Sequence, residues 1–288
     1  MSVRAARKFI EPRGQSPYPG GVMADFFDTH AHLDFPDFAG DLDQVVDRAL
    51  SAGITRILCV GTTLESSRRV VDLADRFPNL FAVVGVHPNH VDEAPDEIIE
   101  PLEVLGRHPK VVAIGETGLD TYRLPTGVTP AEIERLKARQ RSLFQQQLEV
   151  AGRLGLNCVI HQREAFAETL EILETVRGKV RGVFHCFTGT PQEAQKVLDL
   201  GSLVSFTGIT TFKNAQNVRD ALAVVPLGRF MLETDCPFLA PLPHRGKRCE
   251  PAFVRDLARA VAGYKGCSEE ELSAATCATA REFFKRLT

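Results

Sequence analysis

The sequence contains no tryptophan and only three tyrosines. A chain so poor in these two residues is poorly supplied with the exposed rings on which extended single-stranded nucleic-acid platforms are built. No apolar run approaches the roughly 20 residues that a membrane-spanning helix needs, so no membrane partner is expected. The seven cysteines, at positions 59, 158, 186, 236, 249, 267 and 277, include no Cys-x-x-Cys pair. An odd, scattered set of this kind fits free thiols in a reducing cytoplasm better than a disulfide or zinc-finger framework. No Gly-x-Gly-x-x-Gly follows an early apolar run, which argues against a dinucleotide-binding fold. The net charge is only −3, so no global field draws in a polyanion, and any such substrate must be gripped by a local basic patch.

Residues 1–24 carry Arg4, Arg7, Lys8 and Arg13 but no apolar stretch. We expect a flexible N-terminal extension there rather than a secretory signal. Met23 is a candidate alternative start, and a short organelle-targeting segment is the other reading. Residues 25–288 are expected to form the folded domain.

That domain has 44% hydrophobic content over the 288-residue chain, enough to bury a full core. Short runs rich in branched apolar residues predict eight strands, at 26–28, 54–60, 80–86, 111–115, 157–160, 180–184, 202–206 and 230–233. Helical patterns lie between them at 42–52, 64–76, 97–107, 130–154, 165–176, 191–200 and 215–224, and two more, at 251–263 and 268–286, close the chain. Pro191 and Pro251 suit a first helical turn. Strict alternation implies parallel strands joined by right-handed crossovers. Eight such units close most simply into a single (β/α)8 TIM barrel with extra C-terminal helices. An open doubly wound sheet is the alternative.

In such a barrel the chemistry sits where the strands end. The first strand leads into Asp28-Thr29-His30-Ala31-His32. Alternate residues of an extended segment face the same way, so the two imidazoles converge. Further strand ends present His87, Glu116, His161, His185 and Asp235, so that five of the eight histidines fall at predicted strand ends. Single histidines are often satisfied core residues; five at the strand ends of one barrel, with carboxylates at others, point to a metal site. Imidazole mixed with carboxylate suits zinc, manganese or iron, and tolerates magnesium where carboxylates dominate.

Five motifs spread along the chain from about Asp25 carry a closer likeness: Asp28-Thr29-His30-Ala31-His32-Leu33-Asp34, Gly85-Val86-His87-Pro88, Gly115-Glu116-Thr117-Gly118-Leu119-Asp120, His185-Cys186-Phe187-Thr188-Gly189, and Glu233-Thr234-Asp235-Cys236-Pro237 running on into Arg245-Gly246-Lys247-Arg248. In these the chain resembles the TatD family of metal-dependent deoxyribonucleases, within the amidohydrolase-like TIM barrels. The resemblance implies two divalent ions, Mg2+, Mn2+ or Zn2+, and hydrolysis of DNA phosphodiesters. It makes His30, His32 and Asp235 ligands of one ion, His161 and His185 ligands of the other, and Glu116 the bridge. Related barrels often bridge with a carboxylated lysine, but none stands near the end of this strand. Thr117, Thr121, Cys236 and Cys249 depart from the family pattern and are expected to border the substrate groove.

An activated water would attack phosphorus, with Asp235 and Glu116 as the catalytic carboxylates and Asp235 accepting the proton. Asp28 and Asp120, and less clearly Asp34, would orient ligand imidazoles from behind. His87, Arg123, Arg163, Arg245 and Lys247 are the candidate substrate contacts, with Lys213 and Arg248 beside them, since guanidinium groups hold phosphate bidentately. Phe187, Phe206, Phe212 and Phe238 could stack a base, although core filling is the default for phenylalanine. The expected partner is DNA, single-stranded or at ends, acted on by a cytoplasmic protein that is a monomer unless shown otherwise. Two other readings stay open: a barrel hydrolase of carbon esters or cyclic amides, and a catalytically idle binding scaffold.

Overall fold

The computed structural model describes residues 24–287. Apart from Ala24, the extension expected at 1–24, with its candidate start at Met23, lies outside the described residues. Eight strands form one sheet in chain order: β1 Phe26–Ala31, β2 Ile54–Val60, β3 Leu80–Val84, β4 Val111–Asp120, β5 Asn157–Arg163, β6 Gly182–Phe184, β7 Leu203–Phe206 and β8 Phe230–Leu232. All neighbouring pairs are parallel. The ring closes just past β8, where Asp235 N donates to His30 O and His32 N to Cys236 O, each at 2.9 Å. The predicted TIM barrel is therefore the fold, and the open sheet is excluded.

The crossover helices are α1 Leu42–Ser51, α2 Leu64–Arg76, α3 Ile99–Gly106, α4 Pro130–Leu154, α5 Phe166–Glu174, α6 Pro191–Asp199 and α7 Gln216–Val224; α8 Val254–Lys265 and α9 Glu269–Phe283 follow. Their starts are written in the chain. Thr63 and Thr129 accept helix amides, and Thr190 with Glu193 and Ser268 with Glu271 form capping boxes. Pro251 opens a tight 3-10 turn, Pro251–Phe253, ahead of α8 rather than the α-helix itself.

One apolar cluster draws on every strand, including Phe27, Leu58, Phe81, Val112, Val159, Val183, Leu203 and Met231, together with Phe283 and Phe284. A set shared by all eight strands fills the inside of the barrel. Helix α9 and the residues just after it close its N-terminal end. Asn157 at the start of β5 donates to Phe283 O at 2.7 Å, Arg286 donates to Gly106 O at 2.7 Å, and Ser273 donates to Asp25 O just ahead of β1. The larger cluster packs the strands against the helices.

Two strands run further than their apolar cores suggest. β4 and β5 continue side by side, with Gly118 opposite His161 and Asp120 opposite Arg163, so Glu116, Asp120 and His161 stand within strands rather than beyond them. β3 stops early because Gln147 of α4 takes both polar groups of Val86, accepting from its amide at 2.8 Å and donating to its carbonyl at 3.0 Å. Higher on the same helix, Gln140 accepts from Asp120 N and donates to Asp120 O, each at 3.0 Å, and to Pro88 O at 3.2 Å. These two buried glutamines fix the rim positions of β3 and β4.

Candidate metal centre

The site lies where the sheet register slips. Pairing of β1 with β2 shifts between Asp28 and Ala31, and pairing of β4 with β5 shifts between Ile114 and Thr117. Such irregularities re-aim side chains that strict alternation would send elsewhere. Glycine makes the second one possible. Gly115 and Gly118 have φ of +142° and +137°, and an added Cβ would fall 2.5 Å from Val159 O and 2.0 Å from His161 O respectively. After β8, Asp235 itself is left-handed at φ +56°, as is Cys186 after β6 at +46°, conformations that cost energy and that cluster at functional sites.

The side chains so aimed converge. Glu116 is the common partner: Oε1 lies 2.7 Å from His185 Nε2, 2.8 Å from His161 Nδ1 and 3.3 Å from His87 Nε2, while Oε2 lies 3.4 Å from His30 Nε2 and 3.8 Å from His32 Nε2. His30 Nε2 and His32 Nε2 stand 3.3 Å apart, and Asp235 Oδ1 is 3.8 Å from the first and 3.4 Å from the second. Among the described residues three donor groups arise, each with its ligand atoms within 4.8 Å of one another: His30, His32 and Asp235; His30, Glu116 and His185; and His87, Glu116 and His161. Ring nitrogens and carboxylate oxygens aimed at common points repel one another unless protons or cations sit between them. Borderline nitrogen and oxygen donors of this kind fit divalent metal ions.

The protonation balance has the same origin. Burial would raise the Glu116 carboxyl, but His185, His87 and His161 hold it well below its ordinary value. Burial would likewise lower His185, and the facing Glu116 and Glu233 instead raise it well above the usual imidazole range. Burial draws down His30, and it takes His87 to about 4. Against burial, His32 is raised by Asp235, and His161 by Asp120 and Glu116. Asp235 stays below its ordinary value because His32, His30 and His185 offset its burial.

Behind the converging atoms stand the positioning groups. His32 Nδ1 meets Val60 O at 2.9 Å, and His161 Nε2 meets Asp120 Oδ2 at 3.2 Å. Among the described residues no imidazole nitrogen is hydrogen-bonded to Asp28. It accepts from Thr234 Oγ1 at 2.6 Å, Thr234 N at 2.9 Å and His30 N at 3.3 Å, so it steadies His30 through the backbone and ties β1 to the turn after β8. Burial raises its carboxyl to about 8, against those hydrogen bonds. Asp34 accepts from Ser66 at 2.7 Å and Arg69 at 3.0 Å, anchoring α2. Sequence reasoning missed Glu233 as a site residue. It accepts from Cys186 N at 2.7 Å and lies 3.5 Å from His185 Nδ1; its place in the Glu233-Thr234-Asp235 motif was the available signal.

The expected substrate cations divide. Arg248 forms a fork to Asp41, 2.8 and 2.7 Å, and donates to Asp37 O, so it clasps the β1–α1 loop rather than facing the centre. Arg163 instead lies over the Tyr122 ring at 3.7 Å and Arg245 over Phe212 at 4.3 Å; among the described residues no carboxylate pairs with either. The Arg123 amide is held by Asp120 Oδ1 at 2.9 Å, and its side chain, like those of Lys213 and Lys247, is exposed. Thr117, Cys236 and Cys249 are buried, and Thr121 donates to Glu164 O at 2.7 Å, so the departures from the family pattern are largely packing changes rather than groove edges.

A family model described as TatD related DNase matches residues 27–285. Among curated proteins, the chain is 40% identical over 253 residues to the uncharacterized metal-dependent hydrolase YcfH of Escherichia coli K12, covering 86% of this chain and 91% of that protein. It is 36% identical over 264 residues to the 3'-5' ssDNA/RNA exonuclease TatD of Citrobacter koseri, covering 90% and 98%. Among solved structures, that of YjjV, a TatD homolog from Escherichia coli K12, superimposes with a TM-score of 0.81 at 30% identity, over 91% of this chain and 98% of that one.

Proposed function

This chain belongs to the TatD-related DNase family of metal-dependent hydrolases acting on ester bonds, and we propose that it hydrolyses phosphodiester bonds of single-stranded DNA, or of DNA at its ends, stepwise from the 3′ end. The observation that carries the reading is the division of Glu116: one carboxylate oxygen faces His161 and His185, and the other faces His30 and His32. His30, His32 and Asp235 would hold one divalent ion and His161 with His185 a second, Glu116 shared between them. Mg2+, Mn2+ or Zn2+ bound there supplies Lewis acidity that polarises a phosphoryl oxygen and acidifies water.

The remaining work belongs to side chains. Asp235 is the most accessible carboxylate of the centre, its side chain 15% exposed against 3% for Glu116, so it is placed to accept the proton of the attacking water. Glu116, held ionised by its imidazoles, keeps the two halves of the centre in register. Asp120 fixes the His161 ring, and Glu233 backs His185. Arg163 and Arg245, oriented by aromatic faces and unpaired with carboxylates, present guanidinium edges to flanking phosphates, with Arg123, Lys247 and His87 as further contacts. Residues 25–288 act as one catalytic unit, a cytoplasmic monomer. All seven cysteines are free, and no described helix is long and apolar enough to cross a membrane.

The test is a panel of defined DNA and RNA oligonucleotides, with p-nitrophenyl acetate beside them as a carbon ester, incubated with Mg2+ or Mn2+ and with wild type or Glu116→Ala. The expected result is a ladder shortening from the 3′ end of single-stranded DNA in the wild type alone. Equal ladders from both proteins, or turnover of carbon esters with every oligonucleotide intact, would overturn the reading.

A further inference from the structure

Two turns on the rim repeat one another. Phe35 follows His32 by three residues and donates its amide to His32 O at 3.2 Å, and Phe238 follows Asp235 by three and donates to Asp235 O at 3.0 Å. Each turn sets a phenylalanine beside a donor of the candidate centre, and the two rings meet. Phe35 stacks on the His32 imidazole with centroids 4.8 Å apart and planes 19° apart; Phe238 stands edge-on to Phe35 at 6.2 Å and 78°. The outermost ring of this ladder is open, for Phe238 is 52% exposed. The other phenylalanines that the sequence offered for stacking are unavailable: Phe187 and Phe206 are buried, and Phe212 lies under Arg245.

Resting on the nuclease reading above, we propose that Phe35 and Phe238 form a shelf that stacks the nucleobase of the 3′-terminal nucleotide while its phosphodiester is hydrolysed. The ladder runs from a metal-donor imidazole outward in two ring-to-ring steps, the order in which a nucleotide carries its phosphate and its base. A base free of a partner strand can turn onto the shelf at no cost in pairing, so the shelf favours an unpaired end. Every base has a π-face, so it does so without reading sequence. It seats one base only. Among the described residues the other exposed aromatics are tyrosines already in contact with a guanidinium: Tyr122 with Arg163 at 3.7 Å and Tyr264 with Arg219 at 6.0 Å. The few exposed aromatics among the described residues thus fit a single stacking position rather than a platform.

The experiment compares wild type, Phe238→Ala and Phe238→Trp on two oligonucleotides that differ only in having a base or an abasic sugar at the 3′ end, with bis(p-nitrophenyl) phosphate as a phosphodiester without a base. Phe238 is mostly in solvent, so neither substitution disturbs the core. Phe238→Ala is expected to lose about 10-fold in kcat/KM on the based end, chiefly through KM, with little change on the abasic end or on the reporter. Phe238→Trp should restore the preference. Equal losses on all three substrates, or a wild type indifferent to the terminal base, overturn the shelf and leave the nuclease reading intact. A wild type that cleaves the reporter but neither oligonucleotide overturns both.

Discussion

The two ends of this barrel are made from the same eight strands and are chemically opposite. At the N-terminal end the strands present Phe27, Leu58, Phe81 and Val112 to one another, and Phe283 and Phe284 close the apolar interior. At the C-terminal end they bury His30, Glu116 and His185 and hold the half-buried His161 and Asp235, with Asp28 and Glu233 behind them. Burying apolar surface is favourable at roughly 25 cal/mol per Å2, whereas burying charge is costly unless it is paired. One end holds the fold together, and the other crowds imidazoles and carboxylates onto common points, an arrangement that the rest of the molecule keeps in place. Substitutions at the two ends should therefore separate stability from activity.

The largest effect is expected at Asp235. Asp235→Asn keeps the shape of the side chain and removes its basicity, so kcat should fall by about 10²- to 10⁴-fold. KM and the thermal midpoint of the metal-free protein should change little. Steady-state kinetics beside a calorimetric scan check both halves, and a variant with near-normal kcat would remove Asp235 as proton acceptor. At the other end, Phe284→Ala empties a fully buried position and should cost about 3–5 kcal/mol of stability. Urea unfolding should show that loss while kcat per folded molecule stays at the wild-type value. A large fall in kcat would mean that the apolar end shapes the catalytic rim directly.

That division was only partly readable in the sequence. Alternating apolar runs and helical patterns were enough for the barrel, because each βα unit is a local pattern and closure follows from repetition. The His30 and His32 pair was readable for the same reason. Partners separated by most of the chain were not. Arg248 looked like a phosphate ligand because it follows Asp235, but its carboxylate partner, Asp41, lies 207 positions away. Gln140 and Gln147 sit on the inward face of α4, where periodicity alone reads them as packing, yet they hold the ends of β3 and β4. The length of β4 was invisible because Gly115 and Gly118 read as the end of a strand, and only their closeness to β5 shows why glycine is needed inside it.

A middle-sized effect should appear between the two ends. Asp120 contacts the His161 ring while its own amide and carbonyl are held by Gln140. Asp120→Asn should weaken metal binding by about 10- to 100-fold and move unfolding of the metal-free protein little. Calorimetric titration with Mn2+ or Zn2+ measures the first and thermal scanning the second. If stability fell and metal affinity held, Asp120 would belong with the structural half.

The smallest effect concerns the clasp that ties the β1–α1 loop to the segment after β8. Arg248 and Arg48 hold Asp41, and their hydrogen bonds lower its carboxyl from 3.8 to about 2. Arg48 also pairs with Glu250 at 2.7 Å. A carboxylate whose pKa is depressed in the folded state stabilises the fold above the unfolded value and loses that contribution as the pH falls through the folded one. The clasp's contribution to stability should therefore be full above about pH 4 and decline from 3.8 down to about 2, where the clasp itself opens. Because Asp41 faces solvent, the change will be slight and weaker in salt. It should appear as a difference in the acid slope of stability between wild type and Asp41→Asn, measured on metal-free protein so that titration of the metal centre is common to both. Arg248→Ala should reproduce most of that difference, because Arg248 is the stronger of the two partners of Asp41. An Arg248→Ala protein with the wild-type acid slope, and with DNA cleavage weakened instead, would move Arg248 from the scaffold to the substrate groove.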